Sequence, residues 1–397
     1  MLTDSGYDVT STGTYFGIRT GKAALCGGTG RRETVVVKNP TIRDVARAAG
    51  VSVATVSRVL NNKPDAADGT RRKVEDAIAR LGYAKSTQWQ QLTTGKSRAV
   101  SLHFPYSDAS PSHIYLDFII GATTACEERD YRLDLITRSL SDSDLLDLYR
   151  SNKSDGTILM KVQLDDPRVR FLRKARLPFV MIGHTDKGVG ASYIDYDFEA
   201  AMRIGLNHLI ALGHRNIGYV SATPSQTRQH GPTVRALRAY VEVCNENGLP
   251  RLDYETDLSL RNIRLLTSRM LSEHPEITAL MTMREMVETA LFGAVHDAGL
   301  RIPDDISVVG LTNPQGPELT SPALTALDFP AWSMAYEAGN MLIDELEGVN
   351  TTVTEMLQEP TLAVRASTSP VRQMVSPAPG SAPRGNRERK RDSPDHR

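Results

Sequence analysis

The stretch from Thr41 to Leu60, TIRDVARAAGVSVATVSRVL, constrains the fold most, because its pattern predicts two short helices joined by a tight turn. Gly50 stands at the predicted turn, where a positive φ favours a residue without a Cβ. Small and apolar side chains stand where the two helices must touch. They are Val45, Ala46, Ala49, Val51, Val56 and Val59. This pattern is typical of a helix-turn-helix, whose second helix lies in the DNA major groove.

Charge is zero over the whole chain but uneven along it. Residues 41–100 hold eleven Lys and Arg against five Asp and Glu, a net charge of +6 that lies where DNA would bind. The three cysteines, Cys26, Cys126 and Cys244, are far apart and follow neither a metal-binding nor a disulfide pattern. With no run of 18 apolar residues and no signal peptide, we expect a cytoplasmic, nucleoid-associated protein without membrane span, metal or cofactor.

A third helix is predicted in TRRKVEDAIARLGY, with Val74, Ile78 and Leu81 on one face and Gly82 as its stop. Thr41 is expected to cap the first helix and Asp68 the third. The three helices form an all-α headpiece over residues 40–84. Before and after the folded regions we expect a disordered extension and a disordered basic tail. These cover residues 1–39 and 369–397.

From Arg98 onward, short apolar runs alternate with longer amphipathic stretches. The runs are AVSLHFP, RLDLITR, DGTILMKV, LPFVMIG, NIGYVSA, ITALMTM and DISVVGL. They predict buried parallel strands connected by helices. The pattern repeats in two halves, which indicates an α/β core of two subdomains with parallel sheets and a cleft between them. Ligands of such sheets bind outside the carboxyl ends of the strands.

The run TIRDVARAAGVSVATVSRVLNNKPD, with TRRKV and AIARLGY after it, resembles the headpiece of the lactose-repressor/galactose-repressor family of bacterial transcription regulators. The resemblance continues to about residue 368 through SDGTIL, LPFVMIG, AGLRIPDDISVVG and SPALTALDFP. It implies a hinge helix at 85–96 and a periplasmic-binding-protein-like core. The N-subdomain would cover 97–194 and 328–349, and the C-subdomain 195–327 and 350–368.

The resemblance places Val53, Ala54 and Arg58 against base edges, and Leu92 of the hinge as a wedge in the minor groove. Short polar side chains nearby are candidates for phosphate contacts or helix caps. They are Thr41, Ser52, Thr55, Ser57 and Asn61. The hinge departs from the family pattern at three positions, which leaves its docking open. These positions are Lys85, Gln88 and Trp89.

The effector site implied by the resemblance keeps its frame but changes its polar groups. Arg284 and Glu285 stand where sugar-responsive relatives have an Asn-Asp pair, and Thr312 stands where they have an Asp. The other candidates are His184, Arg235 and Phe329, with Arg228 as the second choice for the ligand arginine. The two arginines could receive an anionic group, or Arg284 could pair with a neighbouring acid.

These patterns predict a sequence-specific DNA-binding transcription regulator, a repressor, that binds a near-palindromic operator as a homodimer. A small polar ligand, a sugar or sugar derivative, is expected to control it. Two alternatives remain, namely a solute-binding or enzymatic protein on the same core, and a DNA-binding protein without an effector. We find no nucleophile elbow, phosphate loop or HExxH motif in the core, so no catalytic residue is expected. His208 and His214 are expected to be structural.

Overall fold

The computed structural model describes two compact units, which divide after Lys85. They are a helical headpiece and an α/β core. The described residues are 40–371 apart from 61–66, 84–95, 106–112, 187, 189, 223–229, 258, 285–286 and 314–319. The expected N-terminal extension, nearly all of the hinge, and the tail beyond residue 371 therefore lie outside the described residues, as do Asn61, Leu92, Arg228 and Glu285.

The headpiece contains α1 (Ile42–Ala49), α2 (Val53–Leu60) and α3 (Asp68–Leu81). The first two helices lie within Thr41 to Leu60 on either side of the turn at Gly50, as predicted. Thr41 and Asp44 form a reciprocal cap at the start of α1, because the Thr41 hydroxyl accepts the Asp44 N–H at 3.4 Å and an Asp44 carboxylate oxygen accepts the Thr41 N–H at 2.9 Å. Gly50 ends α1 with φ 67°, as the turn requires.

The headpiece core differs from the prediction in the third helix. Val74 and Ala77 are buried there, whereas Ile78 is half-buried and Leu81 is 36% exposed. The small Ala77, three residues after Val74 on the same face, lets α1 and α3 approach closely. The prediction for Asp68 is also wrong, because Asp68 is the first helical residue and the cap position is Ala67, which provides no side-chain hydrogen bond.

The first sheet of the core has the strand order β11-β5-β4-β3-β1-β2 and is parallel throughout. Its strands are β1 (Ala99–His103), β2 (Arg132–Ile136), β3 (Gly156–Leu159), β4 (Phe179–Ile182), β5 (Tyr193–Tyr196) and β11 (Glu355–Gln358). The helices of this half are α4 (His113–Glu128), α5 (Asp142–Arg150), α6 (Pro167–Ala175) and α11 (Ala331–Glu347). We call this half the first subdomain.

The second sheet has the order β12-β10-β9-β8-β6-β7, with β12 antiparallel to β10 and the other strands parallel. Its strands are β6 (Ile217–Ala222), β7 (Asp253–Thr256), β8 (Ala279–Thr282), β9 (Ser307–Thr312), β10 (Thr325–Asp328) and β12 (Thr361–Ala363). The helices of this half are α7 (Phe198–Ala211), α8 (Gly231–Asn247), α9 (Leu260–Glu273) and α10 (Val287–Asp297). We call it the second subdomain.

The chain passes between the two sheets three times, after β5, after β10 and after β11. The third passage differs from our expectation, which placed all of 350–368 in the second subdomain. Residues 355–358 pair with β5 in the first sheet, with Met356 opposite Ile194, so the chain crosses only beyond Gln358. The side chains of β11 are alternately exposed and half-buried, as on an edge strand, which explains why no continuous apolar run marks it.

Helices α4 and α11 pack closely over the first sheet. A Cβ on Gly121 would overlap the Trp332 carbonyl oxygen, and a Cβ on Gly339 would lie 2.7 Å from the Ala125 Cβ. Glycine is therefore required on both helices for this approach. Among the described residues, no helix is long and apolar enough to cross a membrane.

Candidate DNA-binding surface and effector cleft

The second helix of the headpiece has one buried and one exposed face. Val56 and Val59 are buried against the other helices, whereas Ala54 and Arg58 are exposed on the opposite side and Val53 is half-buried. Ala54 and Arg58 are four residues apart and therefore lie on one face of α2. The chain thus presents a small apolar group and a guanidinium together, as contact with base edges would require.

Two hydroxyl groups among the candidate phosphate contacts already serve as helix caps. The Ser52 hydroxyl accepts the Thr55 backbone N–H at 3.1 Å and lies 2.8 Å from the Thr55 hydroxyl. Thr41 caps α1 in the same way. A hydroxyl has one hydrogen to donate to a phosphate oxygen. Ser52 can donate its hydrogen while it accepts the Thr55 N–H. The Thr41 hydroxyl, in contrast, donates to the Asp44 carboxylate at 2.7 Å and would have to give up that hydrogen bond.

His184 and Arg235 meet around the buried carboxylate of Asp195 in the core. The His184 Nδ1 atom lies 2.7 Å from one Asp195 oxygen, and the Arg235 Nη1 atom lies 3.5 Å from the same oxygen. Arg235 also donates to the His184 carbonyl at 3.0 Å. A side chain on Gly231 would overlap the guanidinium, so the first turn of α8 leaves room for it. We call His184, Asp195 and Arg235 the buried triad.

Thr312 and Phe329 lie at the second passage between the sheets, and both are buried. The Thr312 carbonyl accepts the Phe329 N–H at 2.8 Å. The Phe329 ring centroid is 5.0 Å from that of Tyr196 and 5.9 Å from that of Phe198. The structure therefore joins these two candidates to each other and to an aromatic cluster.

Two basic residues at the strand ends escaped the sequence analysis, namely Lys161 and His230. Lys161 follows β3, and its amine lies 5.1 Å from the ring centroid of Phe104 and 5.6 Å from that of Tyr115. His230 begins α8 and forms a backbone bridge with Gln163 of the first subdomain. The position of Lys161 directly after the DGTILM run could have indicated it, because ligands bind where parallel strands end.

Arg284 follows β8, and its guanidinium donates to the Thr233 hydroxyl at 3.3 Å. The His230 Nδ1 atom lies 3.3 Å from the same hydroxyl. Burial, together with the positive charges of Arg284, Lys161 and Arg235, lowers the pKa of His230 to about 3. Arg284, Lys161 and His230 thus form one basic cluster contributed by both subdomains, which we call the basic cluster of the cleft.

His208 and His214 hold the C-terminal segment of the core. His208 Nε2 lies 3.0 Å from the Thr368 hydroxyl, and His214 Nε2 lies 3.1 Å from the Ser369 carbonyl oxygen. Burial lowers the pKa of both histidines. These contacts agree with the structural role expected for the two residues.

A helix-turn-helix with an exposed face, joined in one chain to a two-sheet core with a polar cleft, defines a class: DNA-binding regulators with a ligand-binding core. Residues 41–86 match the sequence family described as "Bacterial regulatory proteins, lacI family". Residues 206–368 match the family described as "Periplasmic binding protein-like domain". The chain belongs to the lacI family of bacterial regulatory proteins. The predicted family and fold class are thereby confirmed.

The chain matches proteins that are named as regulators, and the match covers nearly their whole length. Catabolite control protein A of Priestia megaterium is 28% identical, over 80% of this chain and 96% of its own. The HTH-type transcriptional regulator CelR of Thermobifida fusca is 29% identical, over 83% of this chain and 98% of its own. The solved structure of a transcriptional regulator CelR-cellobiose complex is 26% identical, covers 83% of this chain and all of its own, and superimposes with a TM-score of 0.61. The chain is accordingly a DNA-binding transcription regulator and not an enzyme.

Proposed function

We propose that the chain binds a near-palindromic operator as a cytoplasmic homodimer, and that a small polar ligand in the cleft controls its operator affinity. The observation that carries the proposal is the exposed face of α2, with Ala54 and Arg58 side by side in a helix whose other face is buried. Repression is the expected outcome, because a protein seated on an operator excludes other proteins from it.

Base recognition would fall to Arg58, Val53 and Ala54. The Arg58 guanidinium can donate two hydrogen bonds to guanine O6 and N7, and the two apolar side chains can pack on thymine methyl groups. Short polar residues around them would hold the phosphates, namely Thr41, Ser52, Thr55, Ser57 and Asn61. Leu92 of the hinge would be the wedge in the minor groove, at a cost of a few kcal/mol in unstacking that the bent DNA offsets with further contacts.

Homodimerisation is supported by apolar side chains that are exposed along one side of the core. Leu116 of α4 and Leu135 of β2 are exposed at the β2 edge of the first sheet, while Leu260 and Leu265 of α9 are exposed near the β7 edge of the second sheet. The two edges are equivalent in the strand order of their sheets. A second copy related by a twofold axis would cover both with the same surface of each subunit.

The cleft is proposed to bind a sugar or sugar derivative. Support comes from the regulator solved with cellobiose, which has the same fold, and from polar groups at the strand ends of both subdomains. A ligand that contacts both subdomains would change their relative arrangement. The coupling to DNA would be typically about 1–3 kcal/mol, and it must be reciprocal, so that operator changes ligand affinity by the same factor.

The test is operator binding by the purified full-length chain. Operator sequences would be selected from random DNA and measured at several salt concentrations, with and without a panel of small molecules. We expect a palindromic consensus, a binding constant that falls with salt as phosphate contacts require, and a change in affinity with one ligand class. Binding without sequence preference would contradict operator recognition, and operator binding that no small molecule changes would contradict ligand control.

A further inference from the structure

Three basic side chains converge on the cleft from both subdomains. Lys161 follows β3 of the first subdomain, and Arg284 follows β8 of the second. His230 connects the two elements, because its backbone is bridged to Gln163, two residues after Lys161, and its Nδ1 atom lies 3.3 Å from the Thr233 hydroxyl that Arg284 also contacts. A ligand with only neutral sugar hydroxyls does not require three basic side chains, so these side chains indicate a different ligand chemistry.

Arg235 does not belong to this group, although its type and position made it a candidate for a ligand contact. Its side chain is 8% exposed, and its charge is matched by the Asp195 carboxylate at 3.5 Å, which is 3% exposed. Its second terminal nitrogen donates to the His184 carbonyl. The capacity to bind an anion therefore lies with Lys161 and Arg284.

Arg284 has hydrogen-bond donors to spare. A guanidinium carries five N–H donors, and within the described ranges the only hydrogen-bond partner of Arg284 is the Thr233 hydroxyl, at the long distance of 3.3 Å. The surroundings of His230 carry an excess of positive charge. Burial and the charges of three cations lower the pKa of this imidazole, and no carboxylate of the described residues is among the groups that shift it. The local potential is positive and favours an anion.

We infer that the effector of this protein carries an anionic oxygen group, a phosphate or a carboxylate, bound between Lys161 and Arg284 with His230 beside it. The inference rests on the proposed control by a cleft ligand and specifies its class. The Phe104 and Tyr115 rings, 4.7 Å apart and next to the Lys161 amine, supply an apolar wall for the rest of the ligand. The effector is thus a phosphorylated sugar or a sugar acid.

Lys161 is held in place by the chain around it. Its backbone has φ 51°, in the left-handed region that non-glycine residues adopt rarely. Arg168 donates to the carbonyls of Met160 and Lys161 at 3.1 and 3.2 Å, and it is paired at 2.7 Å with the buried Asp166. The loop that presents Lys161 is therefore fixed before a ligand arrives.

The test compares matched neutral and anionic ligands on the full-length protein by titration calorimetry. The panel contains neutral hexoses and disaccharides, their 6-phosphates, and the corresponding uronates. Inorganic phosphate and sulfate are tested by thermal melting at constant ionic strength. We expect an anionic member to bind, and Lys161→Gln and Arg284→Gln each to weaken its binding by roughly 10- to 100-fold, as loss of a charge-assisted hydrogen bond implies. Arg269→Gln, which removes an exposed arginine paired with Glu273 on α9, should change nothing.

Separate outcomes decide the inference and the proposed function. If no anionic sugar and no oxyanion stabilises the protein, or if neutral and charged members bind alike, the anion site is wrong. The same holds if anion binding survives both cleft substitutions, because anions would then be bound by the headpiece. A neutral ligand that shifts operator affinity would uphold ligand control and overturn the anion site. Anion binding through Arg284 that leaves operator binding unchanged would uphold the anion site and overturn ligand control. Comparison of the sugar 6-phosphates with the uronates shows whether the anionic group is a phosphate or a carboxylate.

Discussion

Arg58 is the residue on which base recognition depends most in the proposed interface. It is exposed in the last turn of α2, and it is the only guanidinium of that helix. Replacing Arg58 by Ala removes two hydrogen bonds to a guanine and should weaken operator binding by roughly 5- to 150-fold, with relaxed preference at one base pair. Fluorescence anisotropy with operator variants measures both effects.

Arg47→Ala provides the matched control for Arg58. Arg47 lies on α1, its side chain is 81% exposed, and it pairs only with Asp44 at 3.3 Å among the contacts of the described residues. Its loss should weaken specific and non-specific DNA binding to a similar extent, as a phosphate contact does. If Arg58→Ala and Arg47→Ala change sequence preference to the same extent, Arg58 contributes only charge and does not recognise a base.

Asp195 offers a second test at the residue scale, because it neutralises Arg235 in the core. Asp195→Asn would leave a guanidinium buried without a counter-charge, which typically costs about 3–5 kcal/mol. The free energy of unfolding, measured in urea on the full chain, should fall by that order. The control is Asp297→Asn, which breaks the exposed pair with Arg264 and should cost much less, because solvent screens an exposed ion pair. Similar losses in the two variants would refute a stabilising role for the buried triad.

At the scale of elements, the contact between α4 and α11 gives the clearest prediction. Gly121→Ala places a methyl group against the Trp332 carbonyl and forces the helices apart. We expect a loss of about 1–3 kcal/mol in the free energy of unfolding, although alanine has the higher helix propensity. Gly293→Ala in α10 meets only the flexible Arg264 side chain at 3.4 Å, so propensity should dominate and stability should rise slightly. A stabilised Gly121→Ala variant would contradict the close packing of these helices.

The elements that the sequence predicts well are those with a strong local signal. The boundaries of α1 follow from Thr41 as its cap and Gly50 as its stop, because these residues satisfy the free backbone groups at the two helix ends. The seven apolar runs of the core all contain strands. Their side chains are mostly buried on both faces of a sheet, which leaves continuous apolar runs in the sequence.

Elements and contacts that depend on distant partners were not predictable in the same way. Strand β11 has an edge-strand pattern, so its assignment to the first sheet depends on pairing with β5, some 160 residues earlier. Arg235 is neutralised by Asp195, and no local pattern shows that pairing. Lys161 and His230 come together only because two subdomains meet. Local propensity cannot report such contacts, which are set by tertiary structure.

On the scale of the whole molecule, the proposed homodimer would bring two headpieces to one operator. A single headpiece buries little surface on DNA, and two headpieces joined through their cores bind with an avidity gain of roughly 100- to 10,000-fold when the spacing suits the operator. In the proposed homodimer the core would therefore contribute to DNA affinity without touching DNA. A ligand that alters the core could regulate this gain while leaving each headpiece unchanged.

The exposed leucines at the β2 and β7 edges provide the last prediction. Leu116 and Leu265 are 56% and 59% exposed, and Leu116→Glu combined with Leu265→Glu would place a charge on the proposed apolar interface in each subdomain. We expect sedimentation equilibrium to show half the mass of the unmodified protein, and operator affinity to fall by roughly 100-fold or more as the second headpiece is lost. Val349→Glu, at a position 70% exposed after α11, should leave both mass and affinity unchanged. A double variant that stays dimeric, or an unmodified protein that is monomeric, would show that these edges are not the contact between subunits.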